Sequence, residues 1–252
     1  MKGPEMASAP APTRRDGGKL RAYAQGPRRM IVAAVPVKDV VNAKQRLMRV
    51  LDGRERRELA RAMLVDVLKA LGGAALDHVW VVTREPEVAA LARSLGAEPL
   101  AESENRGHTA AVATAQAEAM RRGATAFLTI PGDVPCVTAS EIRALVDALP
   151  APPAVVLTPS RSGLGTNGVV LAPPAAMRLR FGEPSFDGHV VAARALRLEV
   201  VTVRLPGLGL DVDAPEDLGM LLAEGAATES GRLVAGWQIT ERLVAAGAVV
   251  RH

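Results

Sequence analysis

The chain has 252 residues, of which 48% are hydrophobic but only 2% aromatic, and it carries a net charge of +4. That length suits one domain, two at most, around a core of Ala, Val and Leu, the composition of strands buried on both faces of a parallel sheet. No apolar run approaches the roughly 18 residues of a membrane span, and seven of the 31 basic but two of the 27 acidic residues precede Met30. The remaining body is near neutral and poor in aromatic side chains for stacking bases, which argues against a nucleic-acid partner.

Residues 1–29 hold Ala-Pro repeats, Gly17-Gly18 and scattered Arg without the apolar core of a signal peptide, and read as a disordered leader on a cytoplasmic protein. Met30 to Val37 is aliphatic throughout and reads as the first strand. Lys38, Lys44 and Arg46 follow within one loop, a cluster that suits a polyphosphate and equally a solvated basic loop. Asp52 reads as an N-cap for a helix over residues 54–71, with an apolar stripe at Leu59, Met63, Val67 and Leu71 and a stop at Gly72-Gly73. A strand over 79–83, a helix over 86–95 ended by Gly96 and a short strand over 97–100 complete a β-α-β-α-β order, which implies a parallel sheet.

The polar loop 102–109 leads into a helix over 110–122. Gly107 before that helix could hold an anion, and His108 is a ligand candidate or a capping or surface histidine. Phe127 to Ile130 reads as a buried strand that stops at Pro131-Gly132, with Asp133 at its tip. Ligands of open α/β sheets bind beyond the carboxyl ends of strands, so Asp133 sits where a catalytic carboxylate would; a plain turn aspartate accounts for it equally. Cys136 is the only cysteine, which excludes an intrachain disulfide and is read as a packing residue.

Thr138 to Glu141 has capping-box spacing for a helix reaching about residue 149, and Pro150 to Pro153 reads as a stiff linker. Strands are expected over 154–158 and 168–172, joined by a Gly- and Ser-rich loop containing Gly165-Thr166-Asn167-Gly168, then a short helix over 174–180. That loop could offer N–H groups to an anion, although a flexible hairpin connection explains its composition better. Ser185 reads as the N-cap of a helix to about 197, with a second potential anion site at its start. A strand over 199–205 leads to Asp211 and Asp213, which would point the same way in an extended segment and face one cation. Asp213 is also explicable as an N-cap before Pro215. Residues 224–252 carry an amphipathic stretch around Leu233, Trp237 and Leu243 that docks on the body or on a partner.

These segments together resemble the CofC/FbiD family of guanylyltransferases of coenzyme F420 biosynthesis. The resemblance spans about residues 30–222. It rests on Val35-Pro36-Val37-Lys38 with Ala43-Lys44-Gln45-Arg46-Leu47, on Pro131-Gly132-Asp133-Val134-Pro135, on Gly165-Thr166-Asn167, on Phe181-Gly182-Glu183-Pro184-Ser185-Phe186 with His189, and on Leu210 to Leu218. It implies an α/β Rossmann-like nucleotidyltransferase fold (that of the nucleotide-diphospho-sugar transferases), a mostly parallel mixed sheet flanked by helices, over 30–222, with a leader at 1–29 and a helical extension at 223–252.

The implied activity is Mg²⁺-dependent transfer of GMP from GTP to a three-carbon phosphoacid with release of pyrophosphate. 3-Phospho-D-glycerate and phosphoenolpyruvate are favoured, and 2-phospho-L-lactate remains a candidate. Asp133, Asp211 and Asp213 would hold Mg²⁺; Thr166, Gly182 and Ser185 would bind the acid; Lys38 and Lys44 would meet the triphosphate. Arg46 and Thr109 would join them on the nucleotide, with Lys38, Lys44 and Asp133 as the catalytic set. The stretch Gly107-His108-Thr109 stands where relatives often carry Gly-Leu-Asn, leaving the guanine contacts open. A homodimer and hand-over of product to a downstream enzyme are compatible with this reading. The competing expectations are a molybdenum-cofactor or sugar-phosphate nucleotidyltransferase of the same fold and a nucleotide-sensing module without turnover.

Overall fold

A computed structural model describes residues 29–38, 44–102 and 107–247. The leader as far as residue 28, most of the loop after the first strand, Asn105 with its neighbours, and the last five residues lie outside the described residues.

The strands are β1 (Ile31–Pro36), β2 (His78–Thr83), β3 (Glu98–Ala101), β4 (Ala126–Thr129), β5 (Ala154–Pro159), β6 (Thr166–Ala172) and β7 (Glu199–Thr202). They form one sheet in the order β3-β2-β1-β4-β6-β5-β7. β1 pairs in parallel with β2 and β4, as do β2 with β3 and β5 with β7, whereas β6 runs antiparallel to both β4 and β5. The sheet is therefore mostly parallel, as expected. The chain winds outward from β1 to β3, then returns to the other side of β1 with β4. That reversal leaves a crevice at the carboxyl ends of β1 and β4, where open α/β sheets bind ligands. Because β6 is reversed, its amino end, with Thr166, arrives at the same edge.

The helices are α1 (Gly53–Gly72), α2 (Pro86–Ser94), α3 (His108–Arg121), α4 (Ala139–Asp147), α5 (Phe186–Ala195), α6 (Pro206–Gly209), α7 (Pro215–Glu224), α8 (Glu229–Gly236) and α9 (Ile239–Ala245), with a 3-10 turn at Gln45–Arg49. Asp52 caps α1 and Thr138 closes a capping box on α4, as the sequence pattern predicts; Glu55 completes a box on α1 as well. One face of the sheet packs Ala33, Val35 and Leu128 under α1, α2 and α4; the other packs Trp80, Phe127 and Leu171 under α3 and α5. A third cluster joins Leu47 and Leu51 of the 3-10 segment to Leu59 and Met63 of α1, Leu221 of α7, and Val234, Ile239 and Leu243 of the tail. The tail thus docks on the body. The carboxylate of Asp66 in α1 accepts from the N–H groups of Glu229 and Ser230 at 2.7 and 2.9 Å, acting as an N-terminal cap for α8 from a distant helix. Among the described residues no helix is long and apolar enough to cross a membrane.

Three expectations need correction. Residues 174–180 form a turn and an extended segment rather than a helix. The Gln116 amide of α3 donates to the carbonyls of Pro174 and Met177, both at 2.7 Å, so those acceptors are taken by tertiary contacts instead of helical N–H groups. Met177 and Leu179 are both buried, the alternation of an extended chain. The strand expected from Gly168 begins at Thr166, placing Thr166 and Asn167 inside the sheet. The strand expected to run to 205 stops at Thr202, where α6 takes over after a short connection.

Candidate active site

β1 delivers Lys38 and β4 delivers Asp133 to neighbouring points on the crevice, since Ala34 pairs with Thr129 just before both strands end. Lys38, Lys44, His108, Gly132, Asp133 and Asp213 line a cavity of about 260 Å³, together with apolar Val37 and Met63. The third element comes from far along the chain. Val212 N–H donates to the Asp133 carbonyl at 3.0 Å, which draws the 211–213 segment against the β4 turn. Gly207 makes this approach feasible: a Cβ there would lie 2.2 Å from the Cys136 carbonyl oxygen, so no larger residue fits.

Lys44 is the hub. Its Nζ donates to Asp133 Oδ2 at 2.5 Å and to Asp213 Oδ1 at 2.6 Å, with only 8% of its side chain exposed. Burial disfavours the ammonium, but the two carboxylates outweigh it and hold the Lys44 pKa above the ordinary lysine value. The same pairing overcomes burial at Asp133 and holds its carboxyl below the ordinary aspartate value. Asp211 behaves oppositely. Burial pushes its pKa up, the Asn167 bond opposes this, and nearby Asp133 and Asp213 push it further up. Asp211 and Asp213 do not share a partner: Asn167 Nδ2 donates to Asp211 Oδ1 at 3.1 Å, while Asp213 faces Lys44. Nor does Asp213 cap a helix. Ala214 takes the N-cap position of α7, and Asp217 accepts from the Asp213 and Ala214 N–H groups.

The donors here are carboxylate oxygens, the chemistry that hard divalent cations select. Three carboxylates, Asp133, Asp211 and Asp213, lie in this region; burial is the main reason the Asp211 value is raised, and Asp133 and Asp213 only add to it. The donor type suits a divalent cation, but among the described residues no three such side chains are gathered to hold one, and Lys44 occupies the Asp133 and Asp213 oxygens that a cation would need.

The remaining expected site residues divide. Lys38 lines the cavity; burial lowers its pKa, with Glu102 partly opposing. Thr109 Oγ1 accepts from the Phe181 N–H at 3.0 Å, tying the start of α3 to the segment before α5. Arg46 lies exposed on the 3-10 turn and does not line the cavity. Thr166 and Ser185, both nearly buried, are joined at 3.1 Å, and His189 joins Thr166 at 3.0 Å. Gly182, at φ +122°, holds a backbone conformation that side chains rarely adopt. Ser185 occupies the N-cap position of α5, but its hydroxyl turns to Thr166 and makes no cap. The Ser185 and Phe186 N–H groups both go to the Leu164 carbonyl, and Gly165 N–H goes to Ser160 Oγ. The Gly-rich segment is thus part of a β5–β6 hairpin connection rather than an open nest of N–H groups.

The pattern gave no role to Asn167. Its amide also reaches the carbonyls of Leu208 and Gly209, at 3.1 and 3.2 Å, and pins the segment that carries Asp211. Asn is disfavoured in strands, and that misfit inside an aliphatic strand was the available signal. His108 is not the cap of α3, a position Gly107 holds, and it is partly buried: its ring packs edge-on against Phe181 at 4.5 Å, and burial lowers its pKa to about 4. Cys136 fills part of the third cluster, and burial raises its thiol to about 11, so it stays protonated and serves packing.

The family described as Guanylyl transferase CofC like matches residues 30–241, from the start of β1 to within α9. The chain belongs to this family. A phosphoenolpyruvate guanylyltransferase of Rubrobacter xylanophilus is 38% identical over 195 residues, covering 77% of this chain and 95% of that protein. A 2-phospho-L-lactate guanylyltransferase of Methanothermobacter thermautotrophicus is 35% identical over 198 residues, covering 79% and 86%. Among solved structures, a putative nucleotide-diphospho-sugar transferase from Desulfovibrio desulfuricans G20 aligns over 85% of this chain and 98% of that one, with a TM-score of 0.69 at 16% identity. The nucleotidyltransferase fold and the guanylyltransferase family are therefore as the sequence motifs implied.

Proposed function

We propose that this guanylyltransferase moves GMP from GTP to a three-carbon phosphoacid, phosphoenolpyruvate before 3-phospho-D-glycerate and 2-phospho-L-lactate, as a step towards coenzyme F420. The observation that carries the reading is the meeting of Lys44, Asp133 and Asp213 at the carboxyl ends of β1 and β4 in a chain of this family. The name of the relative at 38% identity supports phosphoenolpyruvate as the acceptor.

In the reaction a phosphate oxygen of the acceptor attacks the α-phosphorus of GTP. A P–O bond to the acceptor forms, the bond from the α-phosphorus to the bridging oxygen breaks, and pyrophosphate leaves with that electron pair. The attacking oxygen is already anionic at neutral pH, so no side chain has to remove a proton. The demand on the protein is alignment and charge neutralisation. Lys38 and Lys44 supply positive charge beside the triphosphate, and Asp133, Asp211 and Asp213 are the candidate ligands of Mg²⁺ or a similar ion. Bound there, the metal would neutralise charge on the reacting phosphates. Thr166, Gly182 and Ser185 hold the acid. Neutral His108 and apolar Phe181 exclude water between the two sides.

The test is direct. Purified protein, GTP and Mg²⁺ are combined with each acid separately, and guanylylated product is read by mass spectrometry. Product from phosphoenolpyruvate supports the reading; product from another acid alone reassigns the acceptor; no product with any acid overturns it.

A further inference from the structure

His189 is the fourth residue of α5, 2% exposed, and both of its ring nitrogens are engaged. The backbone N–H of Arg180 donates to Nε2 at 3.0 Å. Nε2 therefore carries the lone pair, and the proton of the neutral ring lies on Nδ1. Nδ1 faces Thr166 Oγ1 at 3.0 Å, so His189 donates and Thr166 accepts. Thr166 and Ser185, 3.1 Å apart, then share one of their two hydroxyl protons. One O–H is left over, whichever of the two bears it. Both residues are nearly buried, at 6% and 5% exposure, and neither hydroxyl has a further partner among the described residues. A buried donor without an acceptor is costly, and an anionic oxygen satisfies it with a charge-assisted bond.

We infer that His189 is a positioning residue for the acceptor acid: it fixes the direction of the Thr166–Ser185 hydroxyl pair so that the pair presents a donor, not a lone pair, to the acid's phosphate or carboxylate. This deepens the acceptor reading above and rests on it. Burial alone keeps the ring neutral, with a pKa near 4, so the direction of the chain does not change across the physiological range. Without the Nδ1 proton, Thr166 is free to turn its own hydroxyl towards position 189. The pair is then no longer held to one direction, and it presents a lone pair to an anion as readily as the donor.

Two variants separate direction from packing. His189→Asn keeps an N–H where Nδ1 stands, whereas His189→Leu keeps bulk and removes the donor. With GTP and phosphoenolpyruvate, His189→Leu is expected to raise the acid's KM about 10- to 100-fold while the KM for GTP stays within about twofold, the size of one lost bond to a charged group. His189→Asn is expected to restore most of the acid's affinity. Equal shifts in both KM values, no rescue by Asn, or no effect of Leu overturns the inference. Nitrogen-15 NMR of the histidine ring gives a second readout without turnover: an Nδ1–H tautomer supports the chain and an Nε2–H tautomer overturns it. If the wild-type protein makes no product from any acid, the acceptor reading itself falls, and the tautomer still decides the direction of the chain.

Discussion

A single ammonium group holds the two halves of the site together. Lys44 bridges Asp133, which the β4 turn delivers, and Asp213, which arrives from 80 residues later in the sequence. Replacing it by Met leaves two carboxylates facing each other without their cation. Mg²⁺ affinity of the Lys44→Met protein, measured by calorimetry with the metal alone, is therefore expected to rise. Turnover with GTP is expected to fall at least about a hundredfold, the scale for losing one preorganised charge at a reacting centre. Asp133→Asn removes a carboxylate instead and is expected to lower both metal affinity and turnover, with an unchanged circular dichroism spectrum; retained function would favour a nucleotide sensor. His189 gives a pH prediction. Its folded pKa is near 4 and its unfolded value near 6.5, so its contribution is complete above about pH 6.5 and is lost as pH falls towards 4. The urea midpoint of the wild type should drop over that window more steeply than that of His189→Asn, because the shared carboxylate contributions cancel in the comparison.

The elements were legible wherever local signals agreed. Aliphatic runs marked β1, β2 and β4, an N-cap aspartate marked α1, and a capping box marked α4. Residues 174–180 misled because their helical composition lost to Gln116, a side chain on another helix that claims the carbonyls a helix would use. The carboxyl end of β7 gave way to α6 for a similar reason: Gly207 is needed against the Cys136 carbonyl, and its N–H is taken by Glu141 at 2.8 Å. Gly207→Ala is expected to destabilise the protein by about 1–3 kcal/mol in chemical denaturation, as overpacking does, and to reduce turnover because the 211–213 segment can no longer lie against Asp133. The tail helices act on the site through the third cluster. Leu243 and Ile239 belong to the same cluster as Leu47, three residues beyond Lys44. Leu243→Ala is expected to cost about 2–5 kcal/mol and to raise the KM for GTP more than that for the acid, a split that steady-state kinetics would read.

For the whole molecule, the metal prediction is the broadest. If Asp133, Asp211 and Asp213 hold a divalent ion, a chelator such as EDTA abolishes turnover and added Mg²⁺ or Mn²⁺ restores it, and a chelator-insensitive rate refutes the assignment. The sequence by itself determined the chain's class and kind: aliphatic strands alternating with capped helices, an acidic turn, a basic loop, and the ordered motifs that mark a guanylyltransferase family. Those are local properties, set by backbone propensity and by residue chemistry along a few consecutive positions. Tertiary structure alone decided which of these groups meet. The reversal of β6 brings Thr166 to the edge where β1 and β4 end, Asn167 pins the Asp211 segment, and Lys44 bridges two carboxylates from distant parts of the chain. Such partnerships depend on strand order and on hydrogen bonds between residues 40 to 170 positions apart, and no local pattern encodes them.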